Sequence, residues 1–266
     1  MTAIAYFEGQ FVPETEAKVS IKTHAFLYGT SLFEGIRGYW SEKDKTTYLF
    51  RAKEHYDRLL TNARLLHMYP SFTAEDMVKM SATLVEKNNF GKDVYFQPRI
   101  YISSEWVPPS IENQPCDICC FMLPFGAYVD TEKGLNVCVS NWRRISDNAI
   151  TPRGKISGAY VNTALAMSES HLGGFDDAIF LAEDGTVCEG SGMNVFLVRN
   201  NELITPSVTS GILEGITRSS IITLAKEKLG LTVVERTVQR TELYVADEVF
   251  FTGTAAQVAP VTKIDH

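Results

Sequence analysis

Residues 177–206 hold two apolar–turn–apolar runs in direct succession. "DAIFLAEDGTVCEG" turns at an Asp-Gly pair, and "MNVFLVRNNELITP" follows it. Asp-Gly is a favoured pair at the tip of a hairpin, so the stretch predicts consecutive hairpins. "GLNVCVSNWRR", "LTVVERTV" and "EVFFTGTAAQVAPV" add further strands. So many short strands in one half of a chain predict a barrel-like or strongly curved sheet with helices packed outside. Those helices are expected at Tyr160–His171 and in "GITRSSIITLAKEKLG", the latter ending at Gly230.

The first half reads differently. "AIAYFEGQFVP" predicts a hairpin around Glu8-Gly9, followed by the glycine-punctuated "HAFLYGTSLFEGIRGYW". Tyr56, Leu59, Leu60, Ala63 and Leu66 follow helical spacing between Lys53 and His67. Arg58 lies off that stripe, and periodicity predicts it to be solvated. Thr73 with Asp76 three residues on predicts the N-cap of a helix reaching Lys87. "VYFQPRIYIS" and "CDICCFML" read as strands that close an N-terminal α+β unit, and "PFGAYVDTEKG" reads as a crossing linker.

A chain of 266 residues suits one large or two fused α/β units. Its net charge of −7 argues against nucleic acid or an acidic membrane surface as the main partner. No apolar run approaches the ~20 residues of a membrane span. The N-terminal stretch lacks a basic region and an apolar core, so no signal peptide and a cytoplasmic location are expected. "CDICC" is not matched by a second Cys pair or clustered His, so the five cysteines are expected to be reduced thiols and no metal site is expected.

Chemistry enters at "RGKISGAYVN". Lys155 sits among two glycines, a serine and an alanine, and such small neighbours let another group come close. A loop lysine in a glycine-rich turn is one explanation; an amine held near a bound carbonyl compound is the other. Gly215 and Thr217 open a helix whose free N–H groups suit a phosphate, although simple capping explains them too. "TGTAAQ" forms a turn of small residues that can expose consecutive N–H groups to an anion. Alternation points Glu189 inward, where it needs a cationic partner, and a pyridinium N–H would be one. "GSG" lacks the βαβ context of a dinucleotide fingerprint. Together these are the parts that pyridoxal 5′-phosphate (PLP) chemistry needs. A Schiff-base aldolase without PLP and a non-catalytic metabolite-binding protein are the rivals, and the colour of the protein separates them.

The segments "YGTSLFEGIRGY", "FRAKEHYDRLLTNAR", "KISGAYVN", "VCEGSGMNVF", "GITR" and "ADEVFFTGTAAQVAPV" stand in an order that resembles the branched-chain amino acid aminotransferases, which are fold-type IV PLP enzymes. The resemblance runs from about Phe7 to Val261. It implies an α/β (α+β) fold: a small N-terminal α/β domain (1–122), a linker (123–134) and a larger pseudo-barrel domain (135–266), assembled as a homodimer or higher homo-oligomer. It implies transamination of leucine, isoleucine and valine with 2-oxoglutarate, amino acids and 2-oxo acids being the substrates. Another activity of the same fold type, on D-amino acids or primary amines or as an aminodeoxychorismate-type lyase, is the alternative.

The resemblance also implies roles. Lys155 is the Schiff-base lysine, Tyr160 meets the phenolic oxygen of PLP, and Glu189 pairs with its ring nitrogen. Arg58, Ile216, Thr217 and Thr254 hold its phosphate, against what periodicity predicts for Arg58. Thr254, Ala255 and Ala256 grip the substrate α-carboxylate. Tyr28, Phe33, Tyr160 and a neighbouring subunit's Tyr128 line the side-chain pocket. Phe125 stands where relatives often carry tryptophan. Gln97 occupies the position of the arginine that receives a distal carboxylate, with Arg99 two residues on. The chain stops at "VTKIDH", short of the C-terminal segment that the family usually carries.

Overall fold

The computed structural model describes residues 2–127, 129 and 132–265. Two compact units divide the chain: Met1–Gly126 with Gly154–Gly158, and Ala127–Arg153 with Ala159–His266.

The first unit begins with the hairpin β1 (Ile4–Phe7) and β2 (Gln10–Pro13), then a short helix α1 (His24–Tyr28). Strands β3 (Ser31–Phe33), β4 (Ile36–Ser41) and β5 (Thr46–Leu49) precede helices α2 (Ala52–Ala63) and α3 (Ala74–Asn88). Strands β6 (Val94–Ile102) and β7 (Cys116–Pro124) complete a seven-stranded sheet in the order β2-β1-β7-β6-β4-β5, with β3 also paired to β6. Helix α3 starts where the sequence predicts: the Thr73 side chain accepts from the Asp76 N–H, and the Asp76 carboxylate accepts from the Thr73 N–H. Helix α2 buries Tyr56, Leu59 and Ala63 as its spacing predicts. It stops at Ala63 and tightens into a 3-10 turn over Arg64–Leu66.

Gly154–Gly158 belongs to this first unit, whereas a boundary at 134/135 would assign it to the second. Main-chain bonds are the reason. The Phe33 N–H donates to the Lys155 carbonyl, and the Ser157 and Gly158 N–H groups donate to the Ser31 and Gly29 carbonyls. Leu32 and Ile156 form a β-bridge. The segment thus lies along β3 as an added strand edge.

The second unit holds β8 (Leu135–Arg143), α4 (Tyr160–Leu172), β9 (Asp177–Leu181), β10 (Val187–Gly190), β11 (Asn194–Arg199) and β12 (Glu202–Pro206). It ends with α5 (Ile216–Glu227), β13 (Thr232–Arg236), β14 (Glu248–Gly253) and β15 (Gln257–Ile264). The eight strands run in the order β10-β9-β8-β15-β14-β11-β12-β13. The two ends of that path meet: the Val187 N–H donates to the Val238 carbonyl at 2.8 Å, and Thr186 bridges Gln239. The sheet therefore curls back on itself, and Val137, Ile179, Val187, Val195, Leu197 and Phe251 fill its interior. Helix α4 packs on it through Ala166, and α5 through Ala225. The fold is α/β with curled sheets.

One boundary is corrected. Helix α5 ends at Glu227, before Gly230. Gly230 takes φ +65° and turns the chain so that the Leu231 N–H reaches the Ala225 carbonyl at 2.9 Å. The glycine makes the reversal after the helix and does not close the helix itself.

Candidate active site

In the first unit, strand alternation divides β6 into two faces. Val94, Phe96, Pro98 and Ile100 are buried, while Tyr95, Gln97 and Arg99 stay half-open on the other side. Phe33 pairs with Arg99 across the β3–β6 ladder. The Arg99 guanidinium lies 5.2 Å from the Phe33 ring centre, and Lys155 Nζ lies 4.9 Å from the same ring. Arg99 Nη1 donates to Ser31 Oγ at 3.1 Å and Ser157 Oγ at 2.5 Å, and Nη2 to Gln97 Oε1 at 3.3 Å. All these partners are neutral, and burial lowers the pKa of the guanidinium from its usual value. Lys155, Phe33, Gln97 and Arg99 are thereby brought together. Phe125 stacks at a tilt on Tyr95, with ring centres 5.0 Å apart. Tyr28 is exposed on α1, and its hydroxyl donates to the Val107 carbonyl. Tyr128 lies outside the described residues.

The small residues around Lys155 admit the chain's own backbone. Gly29 has φ +68°, and a Cβ there would stand 2.7 Å from Gly158 Cα. Glycine at position 29 lets the lysine-bearing segment settle against the turn after α1, whereas a Cβ at Gly158 would make only ordinary contacts, the nearest at 3.4 Å.

Arg58 is not the solvated residue that periodicity predicts. Its Nε and Nη2 each lie 2.7 Å from a carboxylate oxygen of Glu34, a bidentate pair in which Glu34 is 1% exposed. His55 Nδ1 stands 2.8 Å from the same carboxylate. Burial alone pushes the Glu34 carboxyl up; Arg58 and His55 outweigh it and hold the pKa at about 2. Helical periodicity carries no trace of this pairing because the partner lies 24 residues away, on the turn after β3.

In the second unit, Glu189 is the penultimate residue of β10 and is 5% exposed. Its inward cationic partner is Arg144, whose Nη2 sits 2.8 Å from Oε1. Oε2 accepts from Asn194 Nδ2 and the Leu213 N–H, both at 3.0 Å. Asn194 Nδ2 also donates to the Leu213 carbonyl at 2.9 Å. The loop fixed in this way leads through Gly215 into α5, so Ile216 and Thr217 form its first turn. Gly215 supplies no side-chain cap, which leaves the helix start suited to an anion. Tyr160 is the first residue of α4 and is half-buried. Thr254, Ala255 and Ala256 form the turn between β14 and β15. Each unit by itself offers residue types that suit PLP: the first an amine at Lys155, the second an anchored carboxylate at Glu189 and the start of α5.

Arg144, Asn194, Glu34 and His55 are not singled out by the sequence reading. Glu34, His55 and Asn194 each lie inside a quoted motif, "YGTSLFEGIRGY", "FRAKEHYDRLLTNAR" and "VCEGSGMNVF", and of the tandem Arg143-Arg144 at a strand end, alternation turns one inward. Among the described residues, no cluster of three or more His, Cys, Asp or Glu gathers as a metal site. The five thiols are free, and burial pushes Cys119 up to about 11 and Cys188 up to about 12. No helix of the described residues is long and apolar enough to cross a membrane.

The pattern that defines the family "Amino-transferase class IV" matches residues 31–264. A probable branched-chain-amino-acid aminotransferase of Aquifex aeolicus (strain VF5) is 49% identical over 262 residues, covering 98% of this chain and 84% of the relative. A crystal structure of the branched-chain aminotransferase of Thermoproteus uzoniensis, solved with norvaline, superposes with TM-score 0.96 at 38% identity, covering 100% of this chain and 88% of the other. A second solved structure, the branched-chain amino acid aminotransferase of "T.th." complexed with N-(5′-phosphopyridoxyl)-L-glutamate, superposes with TM-score 0.92 at 38% identity, covering 100% and 86%. The chain belongs to the class IV aminotransferases, in their branched-chain amino acid group. It is a transaminase; amino acids and 2-oxo acids are its substrates and pyridoxal 5′-phosphate its cofactor.

Proposed function

We propose that the chain exchanges the amino group of leucine, isoleucine or valine with 2-oxoglutarate in a ping-pong cycle. Lys155 would be the residue that holds the cofactor through its amine, and its Nζ would take the proton from the substrate α-carbon and return it. When bound, pyridoxal 5′-phosphate supplies the electron sink for the electrons released at the substrate α-carbon. Glu189 meets the ring nitrogen and Tyr160 the phenolic oxygen. Arg58, Ile216, Thr217 and Thr254 hold the phosphate. Thr254, Ala255 and Ala256 grip the α-carboxylate. Tyr28, Phe33, Phe125 and the partner's Tyr128 shape the side-chain pocket. We further propose a cytoplasmic homo-oligomer of at least two subunits.

One observation carries the choice of co-substrate. The Arg99 guanidinium and the Lys155 amine both lie near the Phe33 ring, and the partners of Arg99 are hydroxyls and an amide oxygen. A half-buried cation with neutral partners suits the distal carboxylate of glutamate or 2-oxoglutarate, and Gln97 adds an adjacent polar group. The glutamate adduct bound by the similar solved structure supports the same co-substrate. Two measurements test the reading. Borohydride reduction followed by peptide mass spectrometry should place the cofactor on Lys155, and an adduct on another lysine overturns that role. Single-turnover amino transfer should be fast with leucine and glutamate and slow with D-alanine; the reverse order would favour a D-amino acid transaminase.

A further inference from the structure

We propose that Arg144 is a positioning residue for the cofactor's ring nitrogen: it anchors Oε1 of Glu189, while Asn194 and Leu213 anchor Oε2, so that the carboxylate is held ionised and in one orientation. This rests on the role assigned above to Glu189.

The geometry within the second unit carries it. The Arg144 and Glu189 side chains are 11% and 6% exposed, and their Nη2–Oε1 separation is 2.8 Å. The guanidinium also lies 5.5 Å from the Phe180 ring centre, and its buried Nε has no hydrogen-bond partner among the described residues. A buried ion pair of this kind is a poor device for stability, because hydrophobic residues of similar volume often serve as well. An orphaned Nε adds to that cost. What the pair does supply is a carboxylate that stays charged in a dry setting. An isolated buried carboxylate would otherwise tend to neutralise and could then no longer stabilise a protonated ring nitrogen. The backbone of the loop after β8 sets the arginine in place, since the Arg144 N–H donates to the Leu181 carbonyl at 2.9 Å. On the other side Oε2 accepts from Asn194 Nδ2 and from the Leu213 N–H, and Asn194 is itself held by its second donated bond, to the Leu213 carbonyl, so both carboxylate oxygens are fixed.

The test uses the full-length protein stripped of cofactor and reloaded either with pyridoxal 5′-phosphate or with its 1-deaza analogue, in which carbon replaces the ring nitrogen. The readout is the ratio of the two dissociation constants, taken from quenching of protein fluorescence. The wild type should prefer the natural cofactor. Arg144→Met should shrink that preference by about 10-fold or more, the scale of a hydrogen bond to a charged group. Arg144→Lys, which keeps the charge, should restore most of it. Where Arg144→Met does not fold, Arg144→Gln takes its place with the same expected loss. A purely structural arginine would weaken both ligands equally and leave the ratio at the wild-type value, which overturns the inference. Glu189→Gln separates the two levels. If it leaves the ratio unchanged, the role of Glu189 itself fails; if it collapses the ratio while Arg144→Met does not, only the role of Arg144 fails.

Discussion

Lys155 is tied to Phe33 twice: its carbonyl accepts the Phe33 N–H at 3.0 Å, and its Nζ stands 4.9 Å from the centre of the Phe33 ring. The main chain makes the first tie and the side chain the second. Lys155→Ala should therefore keep the strand pairing and change stability by no more than about 1 kcal/mol. Turnover of leucine should vanish. Thermal melting together with a leucine assay checks both halves; a collapse of the fold would show that the side chain, and not the backbone, holds the segment.

Arg99 is expected to discriminate between substrates. Arg99→Ala should lower kcat/KM for glutamate or 2-oxoglutarate by roughly 10- to 150-fold, equivalent to ~1.5–3 kcal/mol. Leucine has no distal charge and should change little. Stopped-flow measurement of each half-reaction is required, because steady-state rates mix the two. An equal loss for both would mean that Arg99 acts through Ser157 on the Lys155 segment instead of on the substrate.

Glu34 carries a pH signature. Its folded pKa of about 2 lies below the ordinary value of 4.5, so its contribution is complete above pH 4.5 and disappears as pH falls through 2. The shift corresponds to about 3 kcal/mol. Glu34→Gln lacks this contribution and leaves the Arg58 charge without its partner. Urea unfolding should show a wide stability gap between wild type and Glu34→Gln at pH 6 that narrows steadily towards pH 2. A gap independent of pH would show that the carboxylate is not ionised in the fold.

Gly215 is constrained by contact, since its φ of −67° is open to any residue. A Cβ there would stand 2.0 Å from Asn194 Oδ1, and Asn194 is already committed to Glu189 and Leu213. Gly215→Ala should destabilise the protein by about 1–3 kcal/mol through the displaced hydrogen bonds. Adding Asn194→Ala should then cost little more, because the bonds are already broken. Full additivity in a double-mutant cycle would count against the contact.

The elements legible in advance are those whose determinants lie within a few residues of one another. The Thr73–Asp76 capping box, the Asp-Gly turn and the hairpins of the second half are of this kind, as is the buried stripe on α2. The residues of the family motifs were also legible, as residue types in order. Local pattern could not reveal that the segment bearing Lys155 is an added edge on β3, that β13 runs parallel to β12, or that the edges of the second sheet meet through Val187 and Val238. The same holds for the partners that decide charge. Arg58 looked solvated because nothing near it in sequence shows Glu34, and Glu189 gave no sign of Arg144. The sequence by itself determined the local turns, caps and strand alternation, because hydrogen bonds between near neighbours create them. Only the tertiary structure decided which buried charges are paired, because ion pairing depends on distances between residues that the chain brings together from far apart.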